Sequence, residues 1–167
     1  MYQKFGTIIN SNKKYKYIYC DTIGLLLFLR DNLSYKKSFT HLLHTYRCKK
    51  CDIFNLVIEE YNINLKKNTY KYLLIYNETE IISSSRVYYN KIGIIQFVYT
   101  DKKYRNKQFS QKNIKKIIKL TTKYFKINKF ELNVDINNPS AIKCYKNCGF
   151  VVKGNNSHKE YIMKISI

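Results

Sequence analysis

The stretch from Phe130 to Phe150 limits the fold of this chain more than any other. Phe130, Leu132 and Val134 alternate with Glu131, Asn133 and Asp135, which is the period of a half-buried strand. Asn137-Asn138-Pro139 ends that strand. Proline loses nothing at the first turn of a helix, where its missing N–H would have no partner, and Asn138 before it is a good N-cap. The helix is predicted to run through Ala141, Ile142 and Tyr145 to about Asn147, closed by Gly149 as the left-handed residue. Phe150-Val151-Val152 then opens another strand. The unit is strand, capped helix, glycine stop, strand.

The rest of the chain supplies elements around this unit. Tyr15 to Cys20 reads as a first strand, and Asp21 and Thr22 are cap candidates for a helix from Ile23 to Arg30. Ser34 is a cap candidate for a second. From Phe39 onward, Leu42, Leu43, Tyr46, Phe54, Val57, Ile58 and Tyr61 recur at helical spacing, which one long helix or two short ones would satisfy. Tyr70 to Tyr76 is rich in β-favouring types, and the turn Asn77 to Glu80 returns it antiparallel through Ile81 to Tyr89. Ile92 to Thr100 is a nearly continuous apolar run, expected as a central strand buried on both faces. Ile114, Ile117, Ile118, Thr121 and Phe125 form one face of an amphipathic helix, with Lys112, Lys115, Lys116, Lys119 and Lys123 elsewhere around it. A turn is expected at Gly154 to Ser157 and a last strand at Tyr161 to Ile165. The predicted order is β-α-α-β-β-β-α-β-α-β-β, an α/β chain of the α+β mixed-sheet kind.

Composition bounds the classes open to such a chain. With 167 residues, 45% hydrophobic and 16% aromatic, a single folded domain over 1–167 is expected. One Pro and 5 Gly argue against linkers. The net charge of +20, from 31 Lys+Arg against 11 Asp+Glu, invites a polyanionic partner. However, the arginines are only Arg30, Arg47, Arg86 and Arg105, and Arg is the residue that grips phosphate in a bidentate way. Asn, Ile and Tyr are abundant beside Lys, so a bias of the coding sequence accounts for much of the lysine, and nucleic acid is not the favoured partner. Met1 to Asn10 lacks the apolar segment of a signal peptide, and Ile23 to Leu29 is too short to span a bilayer, so no membrane partner is expected. Cys20, Cys48, Cys51, Cys144 and Cys148 are an odd number without secretory context, expected as free thiols in a reducing, cytoplasmic setting.

The spacing Leu132-x-Val134-x-x-x-Asn138-x-x-Ala141-x-x-x-Tyr145-x-x-x-Gly149-Phe150 resembles the C-terminal signature of the GNAT superfamily of acetyl-CoA-dependent N-acetyltransferases. The element order resembles the GNAT fold, an acyl-CoA N-acyltransferase fold, over nearly the whole chain. The motif-level match runs from about Ile94 to Phe150.

A strand that ends in a turn and feeds a helix N-terminus is a natural anion site, because unpaired N–H groups point outward there. Val98 to Ser110 has that form. It is similar to the family's pyrophosphate loop, Arg/Gln-x-x-Gly-x-Gly/Ala, with Arg105 opening it. The resemblance implies that the N–H groups of Asn106, Lys107, Gln108, Phe109 and Ser110 hold the coenzyme A pyrophosphate. It also implies that the main chain of Val98, Tyr99 and Thr100 pairs with the pantetheine arm as another strand would. Gln108 replaces the family's first glycine and Ser110 its second small residue. Serine is a mild change; glutamine leaves the N–H available only if its backbone is helical and its side chain turns outward. By the same resemblance Tyr145 is the general acid that protonates the departing thiolate, and Asn138 adds a polar contact near the pantetheine to its cap. The general base stays open among Asp101, Glu131, Asp135 and a water chain, since Ile92 to Thr100 carries no carboxylate and Gln96 cannot serve.

The function so implied is direct transfer of an acetyl group from acetyl-CoA to a primary amine, on a small molecule or a protein, with no metal. The alternative is a basic, non-catalytic binding module on this fold that engages nucleic acid or another polyanion, which Gln108 and the charge favour. The acceptor is unresolved; the positive charge argues against a polyamine unless Glu59, Glu60, Glu78 and Glu80 gather near the site. Many relatives pair through their sheets, which allows a homodimer. His41, His44, Cys48 and Cys51 are metal-ligand types, yet on one helix they would span about 15 Å, too far for one tetrahedral ion. Cys144 and Cys148 are expected as packing residues.

Overall fold

The computed structural model describes residues 6–12, 14–22, 24, 25, 28 and 70–167, and elements are numbered within these. Eight strands make one sheet in the order β1-β2-β3-β4-β5-β6-β8-β7. They are β1 (Gly6–Asn12), β2 (Tyr15–Cys20), β3 (Tyr70–Tyr76), β4 (Ile81–Tyr89), β5 (Gly93–Thr100), β6 (Lys129–Asp135), β7 (Val151–Asn155) and β8 (Glu160–Ser166). Helix α1 (Phe109–Phe125) joins β5 to β6, and α2 (Pro139–Lys146) joins β6 to β7. Every pairing is antiparallel except β5 with β6, the parallel pair that the α1 crossover makes necessary.

That parallel pair is short. β5 is bound along its length to β4, but it meets β6 only at Gly93–Phe130 and Ile94–Glu131. Beyond Ile94 the two strands separate. On its β4 side, β5 takes three residue steps from Gln96 to Tyr99 while β4 takes two from Arg86 to Ser84, so β5 carries a bulge. Phe97 sits in it with φ 50. A bulge bends the strand that bears it, and here it turns the second half of β5 away from β6. The strand expected to be buried on both faces is accordingly half-buried from Gln96 to Tyr99. The apolar run foretells a central strand; the separation is a property of the sheet.

α1 covers one face of the sheet with the positions its periodicity picks out. Ile114, Ile117, Ile118 and Thr121 are buried against Leu73, Val87, Ile95, Phe130 and Leu132. The same face buries Asn113, whose amide donates to Leu73 O at 3.2 Å and whose oxygen accepts from the Ser85 hydroxyl. Both ends of that side chain are thus satisfied, as a fully buried amide requires.

Two expectations are revised. β1 precedes the strand taken as first; its Gly6-Thr7-Ile8-Ile9-Asn10-Ser11-Asn12 sequence has too short an apolar run to announce a strand, and pairing with β2 supplies what local sequence does not. β7 continues through Gly154 and Asn155, where a turn was expected, and the turn falls at 156–159. Asp21 acts as a cap as expected, its carboxylate accepting from Gly24 N at 2.9 Å. The Ser34 cap candidate, the helical spacing from Phe39 to Tyr61 and the His41, His44, Cys48 and Cys51 set lie outside the described residues.

Gly93 is required by the strand junction. A Cβ there would overlap the Phe130 ring and lie 3.4 Å from Val87. Gly93→Ala is expected to lower stability by about 1–3 kcal/mol, the usual cost of overpacking, seen as a lower urea midpoint at unchanged slope.

Candidate active site

The separation of β5 from β6 leaves the second half of β5 without a strand partner on that side among the described residues. Tyr99 O accepts from the Ser83 hydroxyl at 2.7 Å and Asp101 N donates to Ile82 O at 2.9 Å, so both face β4. Backbone polar groups alternate along a regular strand, so those of Thr100, between Tyr99 and Asp101, face away from β4. There Thr100 O accepts from Arg105 Nε at 3.3 Å. Tyr99 presents its side chain to Asp101, the hydroxyl donating to the carboxylate at 3.5 Å.

The loop after β5 is braced before it reaches α1. Asp101 caps a 3-10 turn (Lys102–Tyr104), accepting from Lys103 N at 2.9 Å. Tyr104 donates its hydroxyl to Glu80 at 2.8 Å and accepts from Asn77 at 3.0 Å, and Lys103 reaches the same carboxylate at 3.3 Å. Hydrogen bonding to and burial beside Glu80 hold the Tyr104 hydroxyl protonated, burial being the larger cause.

Asn106 and Gln108 then adopt left-handed backbone, at φ 62 and φ 60. Gln108 is the N-cap of α1 and makes no side-chain cap bond; its carbonyl accepts the first intrahelical bond, from Lys112 N at 2.9 Å. The N–H groups of Phe109, Ser110 and Gln111 therefore occupy the first turn, where no helical carbonyl reaches them. A left-handed residue beside a right-handed one turns successive N–H groups into a concavity suited to an anion. The family's glycine at this position thus serves φ > 0. Gln108 meets that demand with a strained backbone instead, outside the helical dihedrals on which its tolerance was expected to depend. Its side chain is exposed.

Sequence reasoning missed a chain of hydroxyls that ties α1 to the sheet. The Ser110 hydroxyl lies 2.7 Å from that of Thr100, Thr100 Oγ1 donates to Ser83 Oγ at 3.0 Å, and Ser83 continues to Tyr99 O. The serine at the family's second small position is therefore a tether. Ser83 lies in the run Ser83-Ser84-Ser85, whose polarity in a buried strand is the one signal the sequence offered.

α2 is built as its caps foretell. Asn138 accepts from Ala141 N at 3.0 Å and Pro139 begins the helix. Gly149 has φ 97, its N–H donates to Lys146 O at 2.9 Å, and Phe150 N donates to Tyr145 O at 3.1 Å. These two bonds are the Schellman closure. Cys148 N also donates to Tyr145 O, at 2.9 Å, so the glycine stop fixes the Tyr145 backbone twice. The Tyr145 ring packs edge-on against Phe150, centroids 6.4 Å apart, and is 9% exposed. Its hydroxyl makes no hydrogen bond among the described residues. Burial raises its pKa well above the ordinary tyrosine value, with Cys144 and Cys148 adding to the effect, so the group holds its proton. Cys148 is buried in the core cluster and Cys144 packs against it, as expected.

The three carboxylates considered as bases all carry structural hydrogen bonds. Asp101 caps the 3-10 turn, Asp135 accepts from Asn137 N at 2.8 Å, and Glu131 pairs with Lys164 at 2.8 Å. Gln96 accepts from Arg86, a buried guanidinium lying between the rings of Tyr70 and Phe97. No group of three or more metal-ligating side chains occurs among the described residues.

Two substitutions test this local construction. Gln108→Gly is expected to raise stability by about 0.5–1 kcal/mol, the left-handed cost relieved less the extra entropy of a glycine, read from the thermal midpoint. Gly149→Ala places a Cβ 2.9 Å from Ile165 in a left-handed backbone, and is expected to cost about 1–2 kcal/mol.

No curated protein matches the chain. Among solved structures, a ribosomal-protein-S5-alanine acetyltransferase from Vibrio fischeri superimposes with a TM-score of 0.73 at 12% identity, over 96% of each chain. A spermidine N-acetyltransferase from Vibrio cholerae, solved with CoA and spermine, superimposes with a TM-score of 0.63 at 17% identity, over 93% of this chain and 96% of that one. At these identities the likeness establishes the fold. A model of the Acetyltransferase (GNAT) family matches residues 36–150, which take in β3 to β6, the left-handed loop and α2 with its glycine stop, and the chain therefore belongs to the GNAT family of acetyl-CoA-dependent acetyltransferases.

Proposed function

We propose that the chain transfers the acetyl group of acetyl-CoA directly to a primary amine, with the open edge of β5 as the coenzyme site. The observation that carries this reading is the juxtaposition of a strand edge without a strand partner among the described residues with a left-handed anion loop at its end. The edge groups of Val98 and Thr100 hold the amides of the pantetheine arm, and Tyr99 fixes the strand by its bonds to β4 and Asp101. The N–H groups from Asn106 to Ser110 take the pyrophosphate, with Lys107 and Phe109 contributing main chain. The guanidinium of Arg105 adds charge beside them. Asn138 uses its oxygen for the cap and keeps its amide N–H₂ for the coenzyme.

In this reaction the neutral amine attacks the thioester carbonyl, the proton its nitrogen sheds passes to water, and the coenzyme A thiolate leaves. Tyr145 supplies the thiolate's proton: its hydroxyl makes no hydrogen bond among the described residues and its environment disfavours the phenolate, so it acts as an acid and not as a base. The raised pKa has a kinetic sign. Deprotonation of Tyr145 removes the acid, and a value shifted upward keeps it protonated beyond the ordinary tyrosine value of about 10. The rate is expected to show no loss attributable to Tyr145 below that pH.

A primary amine is the acceptor class that the family membership supports. Spermidine and a ribosomal-protein alanine are the acceptors named for the two fold neighbours, and they bracket a panel. Glu80, considered as a binder of a cationic acceptor, is engaged by Tyr104 and Lys103, so it does not favour the polyamine.

Calorimetric titration with acetyl-CoA tests the coenzyme site, and saturable micromolar binding is expected. Tyr145→Phe is expected to lower kcat by about 10²-fold or more at nearly unchanged acetyl-CoA affinity. Retained turnover in that variant would remove Tyr145 from the mechanism, and absent coenzyme binding by the native chain would remove the enzyme reading.

A further inference from the structure

Five lysines of α1 remain outside the proposed reaction. At about 100° per residue, Lys112, Lys115, Lys116, Lys119 and Lys123 fall within an arc of about 100°, opposite the face formed by Ile114, Ile117 and Thr121. Lys112, Lys115, Lys119 and Lys123 are exposed and Lys116 is half-buried. α1 contains no Asp or Glu. Among the described residues, ion pairs form at Lys71, Lys103 and Lys164, and none forms at a lysine of α1. Instead, Lys112, Lys116 and Lys123 lie over the rings of Phe109, Tyr17 and Tyr124 at 5.4, 5.5 and 5.3 Å.

This arrangement is unfavourable to the isolated helix. Like charges three and four residues apart repel, and Lys112 in the first turn opposes the positive end of the dipole. A coding bias raises lysine throughout a chain, but the helical period gathers these five on one side of α1. The coenzyme cannot supply the missing charge either. Its phosphates are assigned to the N-terminal turn, and Lys119 and Lys123 stand about 10–17 Å farther along the axis.

We propose that the outer face of α1 binds the phosphate backbone of a nucleic-acid duplex, independently of acetyl transfer. The stripe from Lys112 to Lys123 is about 17 Å long. A duplex carries one negative charge per about 1.7 Å of its axis, so a length of duplex equal to the stripe offers more phosphates than the stripe has lysines. Lysines act as point charges, so the face takes backbone without reading sequence. A lipid surface fits less well, because the lysine arc contains no apolar side chain to insert, as a membrane-lying helix requires.

The test is fluorescence anisotropy of a labelled duplex of about 20 base pairs at several salt concentrations. If all five lysines engage, log K should fall against log salt with a slope of about −4.5, close to a 500-fold loss between 50 and 200 mM. Lys115, Lys119 and Lys123→Gln together should weaken binding at least about tenfold at low salt and flatten the slope by about 2.7. Lys91, Lys129 and Lys153→Gln, three exposed lysines elsewhere, make a variant of the same net charge that should keep the native affinity and slope. Equal losses in the two variants would mean diffuse attraction to a +20 protein and would overturn the proposal. So would the absence of duplex binding at low salt, or binding to phosphatidylserine vesicles in preference to duplex. Matching thermal midpoints for the two variants exclude misfolding as the cause.

Discussion

The contact between Gly93 and the Phe130 ring is where this sheet is decided. It is the start of the one parallel pairing, and it admits no side chain at residue 93. A second pair, Ile94 with Glu131, follows, and then the bulge at Phe97 carries β5 away. A longer parallel ladder would satisfy more backbone groups, and it would also close the edge on which Val98 and Thr100 lie. Backbone N–H and C=O groups taken from water must be paired, so edge groups left without a strand partner among the described residues are available to a ligand. A coenzyme arm rich in amides can serve as that ligand, which makes the incomplete sheet intelligible.

The two helices α1 and α2 are fixed by different means. α1 is tethered at its N-terminus by the run of hydroxyls from Ser110 through Thr100 to Ser83, and in its middle by Asn113 bound to Leu73 and Ser85. Its core face does the rest through Ile114 and Ile117. α2 is short and depends on its caps, since eight residues cannot sustain a helix by propensity alone. Asn138 at one end and Gly149 at the other hold it, and the second also holds Tyr145 through its carbonyl. The buried, protonated hydroxyl thus has a position set by backbone bonds, with a ring wedged against Phe150.

Much of the chain from Tyr70 onward was legible because local signals agreed with one another. The Tyr70–Tyr76 and Ile81–Tyr89 hairpin, the amphipathic α1 and the Asn138, Pro139 and Gly149 punctuation each rest on neighbours in sequence. Other features were not, for reasons that are equally physical. β1 has little intrinsic strand character and exists by pairing with β2. The end of β7 was misplaced because Gly154 is a turn signal, yet a glycine also fits a strand where its Cβ position is open. Gln108 concealed a left-handed site, because a non-glycine residue gives no warning of φ > 0.

By itself the sequence determined the period of each strand and helix, the ends of α2, the excess of positive charge and the spacing that marks the family. Those are properties of residues within a few positions of each other, where hydrogen bonding and side-chain period act directly. Only the tertiary structure decided where β5 leaves β6, which way the backbone groups of Thr100 face, and that Asp101, Glu131 and Asp135 are all engaged in structural bonds. It also placed the α1 lysines on a solvent face without carboxylate partners among the described residues. These depend on contacts between residues distant in the chain, such as Gly93 with Phe130 and Ser83 with Thr100, whose geometry follows from packing and from no local preference.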